Sequence, residues 1–278
     1  MQDFAGRGAF VTGGASGIGL ALGRAFAASG MKVMLADLDE DRLDRAVRRL
    51  HQTGAAVEGV LCDVSDRAAV MAAAEKTFAA FGKVHVVCNN AGVGGGGPIH
   101  EVRPTDWEWV IGVDLMGVIH GLQAFLPHLK AHGEPAHIVN TGSMAGMLSP
   151  PGMAPYNVSK HAVVTLSETL AAELAGTSIR VSVLCPGWVK TRIHESARHR
   201  PARFGPPRET PLGVIDRAAQ IAEQLRAGMS PDEVAARVMA AIRDGDLHIF
   251  THAEMRPALE ERFRRILAAY DKAAAFKR

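Results

Sequence analysis

Short apolar runs alternate with longer segments of helical period from one end of the chain to the other. Ala9–Thr12, Lys32–Ala36, Val57–Cys62, Val84–Cys88, His137–Thr141, Ile179–Leu184 and His248–Thr251 read as strands. Helical spacing covers Ser16–Ser29, Asp39–Thr53, Arg67–Phe81, Tyr156–Ala175, Pro231–Asp244 and Arg256–Phe276. It also covers Pro104–His132, where an interruption is expected near Gly117 or Pro127. The strand runs are continuously apolar rather than alternating, so both of their faces must be covered. That is the pattern of a parallel sheet with helical crossovers. Right-handed crossovers then give an α/β fold, a doubly wound parallel sheet of about seven strands with helices on both faces.

No Pro/Gly/Ser-rich linker divides the 278 residues, so one domain over 1–278 is expected. The irregular stretch is Lys190–Met229, rich in Arg, Pro and Gly and long for a connection. A segment of that length is expected to be a lid or binding loop inserted at about 190–229. Within it, Arg192–Arg208 suits either an anionic substrate or a solvated lid, and the lid is the favoured reading.

The formal charge of +2 is spread thinly over the chain, which argues against nucleic-acid or anionic-membrane partners. The sequence shows no run of about 18 apolar residues and no signal-peptide pattern, so neither a membrane span nor export is expected. Cys62, Cys88 and Cys185 lie far apart in apolar runs and read as reduced, buried thiols, consistent with a cytoplasmic protein. His120, His128 and His132 share helical spacing and His194 and His199 flank arginines, but no metal-ligand motif accompanies them. No catalytic metal is expected.

Thr12-Gly-Gly-Ala-Ser-Gly-Ile-Gly19 follows the first strand and opens the first helix. Glycines there let backbone approach a pyrophosphate, and a helix N-terminus offers it N–H groups and a positive dipole end. The candidate contacts are Gly13, Ser16, Gly17, Ile18 and Gly19. Asp37, followed by Leu38, ends the second strand about 20 residues on. A carboxylate at that point accepts hydrogen bonds from ribose hydroxyls and repels a 2′-phosphate, so NAD is expected over NADP.

Tyr156 and Lys160 stand four residues apart at a predicted helix start and so share one face. A phenol ordinarily titrates near 10. An ammonium beside it favours the phenolate, and the expectation is a Tyr able to exchange a proton with a substrate hydroxyl or carbonyl. Ser143 follows the fifth strand, where its hydroxyl suits a hydrogen bond to the same oxygen.

Taken with Asn89-Asn90-Ala91-Gly92 at the end of the fourth strand, these motifs resemble the short-chain dehydrogenase/reductase family over nearly the whole chain. The resemblance implies a Rossmann-like domain that transfers hydride with a nicotinamide cofactor. It implies that Asp63 and Val64 meet the adenine and that Asn90, Ala91 and Gly92 lie along the cofactor. Pro186, Gly187, Val189 and Thr191 then sit behind the nicotinamide, and Ser143, Tyr156 and Lys160 are catalytic. Tyr156 and Lys160 also touch the cofactor. The family usually carries Asn where this chain has Asp114, in Gly112-Val-Asp-Leu-Met-Gly117, and uses it to hold a water that links the lysine to a proton relay. Asp keeps acceptor oxygens and loses the amide donors, so Asp114 is expected either as a support residue or as a structural helix acid.

The expected pocket, Gly94–Ile99, Met144–Met147, Pro150–Met153, Trp188 and the loop beyond Thr191, is mostly apolar. It suits a hydrophobic secondary alcohol or its ketone, aromatic or alicyclic. Glu195–Gly205 resembles the lid of bacterial dehydrogenases acting on benzylic alcohols of lignin-type aryl ethers. By the same resemblance a face of Tyr156–Ala175 packs on another subunit in a homodimer or homotetramer; packing within one chain is the competing account. An NADP-linked carbonyl reductase and a non-catalytic NAD-binding protein are the alternative functions.

Overall fold

The first strand, β1 (Gly8–Thr12), is buried at every residue, and its side chains divide between two cores. Phe10 points into one, where its ring packs against that of Phe125, tilted by 35°, at 4.4 Å between centroids. Ala9 and Val11 point into the other, with Leu22 and Phe26. Each fully buried side chain of this size contributes roughly 2–3 kcal/mol. The computed structural model describes residues 1–207 and 212–276, without the side chains of 212–218. Residues 208–211 and 277–278 lie outside it, including Arg208 and part of the expected lid.

The strands β2 (Lys32–Asp37), β3 (Val57–Leu61), β4 (Val86–Asn89), β5 (Ala136–Thr141), β6 (Ile179–Cys185) and β7 (His248–Phe250) complete a seven-stranded parallel sheet in the order β3-β2-β1-β4-β5-β6-β7. Ala9 aligns with Val33 on one side and Val86 on the other. The strand order therefore reverses between β1 and β4, and the carboxyl ends of those strands open the crevice in which such sheets bind ligands. Helices α1 (Gly17–Ala28), α2 (Glu40–His51) and α8 (Pro231–Asp244) cover one face. The other is covered by α3 (Arg67–Phe81), α4 (Pro104–Ile111), α5 (Gly117–His132) and α6 (Ala154–Glu173). This is the doubly wound, Rossmann-like sheet expected from the sequence.

Two expectations change. Lys190–Met229 is not irregular throughout, since α7 (Leu212–Ala227) occupies its second half. The Gly205-Pro206-Pro207 run and Pro211 ahead of it, with Gly213 within it, hid that helix. Pro104–His132 leaves regular α geometry beside Gly117, as expected, and not at Pro127. A π turn over Gly112–Met116 joins α4 to α5, and Pro127 rides inside α5. The continuous 29-residue helix is long and apolar enough to cross a bilayer, contrary to the sequence expectation, yet 61% of its most apolar window is buried in the protein. That burial marks a core helix covering the sheet.

Candidate active site

Helices α2, α3 and α8 begin at side-chain caps, Asp39, Asp66 and Ser230. Helix α1 does not: Ser16 makes no capping bond, and no acid stands in the first turn. Its first amides therefore remain available to an anion, and Ser16, Gly17 and Ile18 line the cleft at the sheet's carboxyl edge. Gly13 has φ +66°, and a Cβ there would lie 3.1 Å from Ala91 Cα. Thr12 braces this opening. Its hydroxyl oxygen accepts from the Asn90 and Ala91 amides at 2.8 and 3.0 Å, and its carbonyl accepts from Asn90 Nδ2 at 3.0 Å. Thr141 then donates to Asn90 Oδ1 at 3.3 Å, so the ends of β1, β4 and β5 are tied together.

Asp37 accepts from the Ala15 amide at 2.9 Å and from the Asp39 amide at 3.0 Å, one on each oxygen. Each oxygen keeps a free lone pair, and Asp37 and Leu38 line the cleft. Burial works to raise the Asp63 pKa, but hydrogen bonds from Ser65 and the Arg203 guanidinium outweigh it and hold the group below its ordinary value. Arg203 reaches Asp63 from the lid, at 2.6 Å. The lid is fastened elsewhere too. Ser196 accepts from the Gly94 amide at 3.1 Å, and Arg200 pairs with Asp106 at 2.8 Å while lying over the Trp109 ring.

Ser143 caps a short turn through the Ala145 amide at 3.0 Å, which leaves its hydroxyl proton free to donate. Met144 N donates to Pro186 O at 2.9 Å and joins this turn to the Pro186–Gly187 segment. Tyr156 and Lys160 project from the first turns of α6, and both line the cleft with Ser143. Lys160 Nζ is buried, donates to Thr141 O at 3.1 Å and lies 5.5 Å from the Tyr156 ring centroid. The expectation that Lys160 brings the phenol below its usual range is corrected. Burial raises the Tyr156 pKa, and Asp114 adds to the rise. Together they outweigh the ammonium and a hydrogen bond from Ser143.

Asp114 sits wholly buried in the π turn, where Oδ1 accepts from the Val93 amide at 2.7 Å. Its Oδ2 lies 3.6 Å from Lys160 Nζ, an ion-pair distance too long for a hydrogen bond. Burial raises its pKa against the pull of Lys160 and the Val93 amide. Gly92 closes the arrangement, since a Cβ there would lie 3.4 Å from both Asp114 Oδ1 and Lys160 Nζ.

The cleft has a volume of about 1280 Å³ and takes in every cofactor-contact residue expected from the sequence except Gly19. That glycine is a packing residue: a Cβ would come within 2.2 Å of Gly13 O. Asp114 likewise stands behind the wall. Ile99, Gly146, Met147 and Pro151 of the expected pocket do not line the cleft, and Ile99 is 67% exposed. Residues the sequence reading missed include Trp109 and Val113, Ile221 and Leu225 of α7, and a face of α9 (Arg256–Ala275). Only the packing of distant elements brings these in. The helical histidines serve structure, with His120 on Val64 O, His132 on Val84 O, and His128 stacked on Phe78.

The family model for short chain dehydrogenases matches residues 7–202. This chain is a short-chain dehydrogenase. Among solved structures similar to this short-chain dehydrogenase is one from Burkholderia phymatum in complex with NAD, at 42% identity and a TM-score of 0.94 over 97% of each chain. The C alpha-dehydrogenase of Sphingobium sp. strain SYK-6 is 34% identical, covering 96% of this chain and 87% of that protein. The 1-deoxy-11-beta-hydroxypentalenate dehydrogenase of Streptomyces avermitilis is 37% identical over 92% of this chain and 88% of its own length. As a member of this family the chain is an oxidoreductase that uses a nicotinamide cofactor.

Proposed function

We propose that this short-chain dehydrogenase interconverts a hydrophobic secondary alcohol and its ketone with NAD, using Tyr156 as the acid/base. The observation that carries the reading is one cleft that holds Ser143, Tyr156 and Lys160 together with the uncapped start of α1 and the Asp37 carboxylate. The NAD complex of the Burkholderia phymatum relative supports the cofactor. Asp37 supports NAD over NADP, because its free lone pairs suit a ribose diol and its charge opposes a 2′-phosphate. The nearby arginines are already paired, Arg42 with Asp39 at 3.1 Å and Arg198 with Glu195 at 3.2 Å.

When bound, NAD supplies the hydride acceptor and a positive charge. Tyr156 takes the hydroxyl proton of the alcohol, Lys160 steadies the phenolate, and Ser143 donates a hydrogen bond to the substrate oxygen. The apolar lining around Met144, Met153 and Trp188 supports a hydrophobic substrate, and one of the relatives is by its name the dehydrogenase of a hydroxylated organic molecule, 1-deoxy-11-beta-hydroxypentalenate. A panel of aryl and alicyclic secondary alcohols with NAD, read at the NADH absorbance, tests the reaction class. Tyr156→Phe is expected to lower kcat by roughly 10²–10⁴, and undiminished turnover removes Tyr156 from the mechanism. NADPH binding more tightly than NADH in a fluorescence titration overturns the cofactor assignment.

A further inference from the structure

We propose that the outer end of the cleft is a carboxylate subsite built on Arg262, so that the substrate is an elongated hydrophobic molecule with an anionic group remote from its reacting carbon. The proposal rests on the hydrophobic-alcohol reading above and names the substrate class more closely. Four residues of α9 line the cleft, namely Met255 at its N-cap, Ala258, Arg262 and Arg265. Their spacing of three, four and three residues is that of a single helix face. The near end of that face abuts the floor of the site, where Met255 Sδ lies 2.9 Å from the position of a Cβ on Gly187. Arg262 stands seven residues further along, an axial rise of about 10 Å. The lining between is apolar, with Ala258 on α9 and Ile221 and Leu225 of α7 also in the wall.

The other arginines of α9 are neutralised. Arg256 pairs with Glu260 at 2.7 Å, and Arg264 and Arg265 pair with Glu261 at 2.7 and 3.7 Å. Their side chains are 80%, 68% and 70% exposed, so those pairs are solvated. Arg262 is half-buried and has no carboxylate partner among the described residues; it lies over the Phe263 ring at 5.6 Å. The basic lid residues cannot serve in its place, because Arg192 and Arg198 both engage Glu195. A partly desolvated guanidinium facing an apolar wall binds a carboxylate with charge-assisted, often bidentate hydrogen bonds. An arm of the cleft that is apolar between Gly187 and α9 and cationic at its far end selects a molecule with the same division.

Calorimetric titration of the full-length protein saturated with NADH tests this, using the matched probes decanoate and decanamide. Decanoate is expected to bind about tenfold more tightly. Arg262→Gln is expected to bring the two within about twofold while leaving decanamide and NADH binding unchanged, and Arg264→Gln, on a solvated pair, is expected to keep the preference. Equal binding of the two probes to the unsubstituted protein, or a preference that survives Arg262→Gln, overturns the subsite and leaves the hydrophobic reading standing. Failure of both probes to bind overturns the hydrophobic reading and the subsite with it.

Discussion

Replacing Asp114 by Asn tests the buried charge beside Tyr156 and Lys160, the proposed catalytic pair. The carboxylate lies 3.6 Å from Lys160 Nζ, and at an effective dielectric of about 20 that attraction is worth roughly 5 kcal/mol. Taking a carboxylate out of water costs several kcal/mol, so most of the attraction is offset. The amide cannot serve both of the carboxylate's neighbours. With its oxygen on the Val93 amide, now 2.7 Å from Oδ1, its NH₂ faces the ammonium. Lys160 keeps its bond to Thr141 O, which limits the loss. A net destabilisation of about 1–3 kcal/mol follows, or a fall in Tm of roughly 3–10 °C. Asp114 also holds the Tyr156 pKa up, so its neutralisation moves that pKa down. Alcohol oxidation needs the deprotonated phenol, and the rate rises as pH passes through that pKa. In Asp114→Asn the rising limb of kcat/KM against pH is therefore expected at lower pH, with substantial activity kept at the plateau. The assay is a pH–rate profile beside a thermal melt. A limb that stays in place or moves upward refutes the electrostatic account, and loss of kcat in a folded, NAD-binding variant refutes the supporting role.

Gly146→Ala would place a Cβ 2.5 Å from Lys160 O, so the Ser143 turn and α6 must separate. Because displacement by about 1 Å costs on the order of 10²-fold in rate, kcat is expected to fall steeply while NADH affinity holds; kcat within twofold of the parent would sink this. His137 is buried with its pKa driven down to about 3, chiefly by burial. Its neutral form stabilises the fold above the unfolded histidine pKa of about 6.5, and that contribution is lost as pH falls from there toward 3, at up to about 1.4 kcal/mol per pH unit. Urea melts from pH 7 to 4 are expected to show a shallower decline for His137→Gln than for the parent, and equal slopes count against it. Arg203→Ala removes an ion pair with a half-exposed arginine, so Tm should move by no more than about 2–4 °C. Trypsin cleavage within 190–207 should nonetheless accelerate, and an unchanged cleavage rate means Arg203 does not fasten the lid.

What was legible in the sequence was whatever depends on neighbours along the chain. The glycine loop, Asp37 and the Tyr156/Lys160 spacing are local patterns, and of the contact residues they supply, the cleft contains all but Gly19. The sheet follows from the continuous apolar runs, and its strands fall within two residues of their expected limits. The net direction of the Tyr156 shift was not legible, because it depends on burial and on Asp114, which a π turn 42 residues upstream brings near. The α9 face was hidden for a related reason: a helix with no buried residue gives no periodic signal that one side closes a cleft. Helix α7 was hidden by the prolines and glycine that precede it in the sequence.

The π turn sets the phase of everything after it. Each residue advances a helix by about 100°, so removing one residue between Gly112 and Met116 would turn α5 by that angle beneath the sheet. His120 would leave the Val64 carbonyl, and Gly121, where a Cβ would fall 2.0 Å from Asn89 Oδ1, would give up its place to a neighbour with a side chain. The turn that carries the buried carboxylate is thus also the clutch between two halves of one long helix. Single-residue deletions there are expected to be far more damaging than substitutions at the same positions.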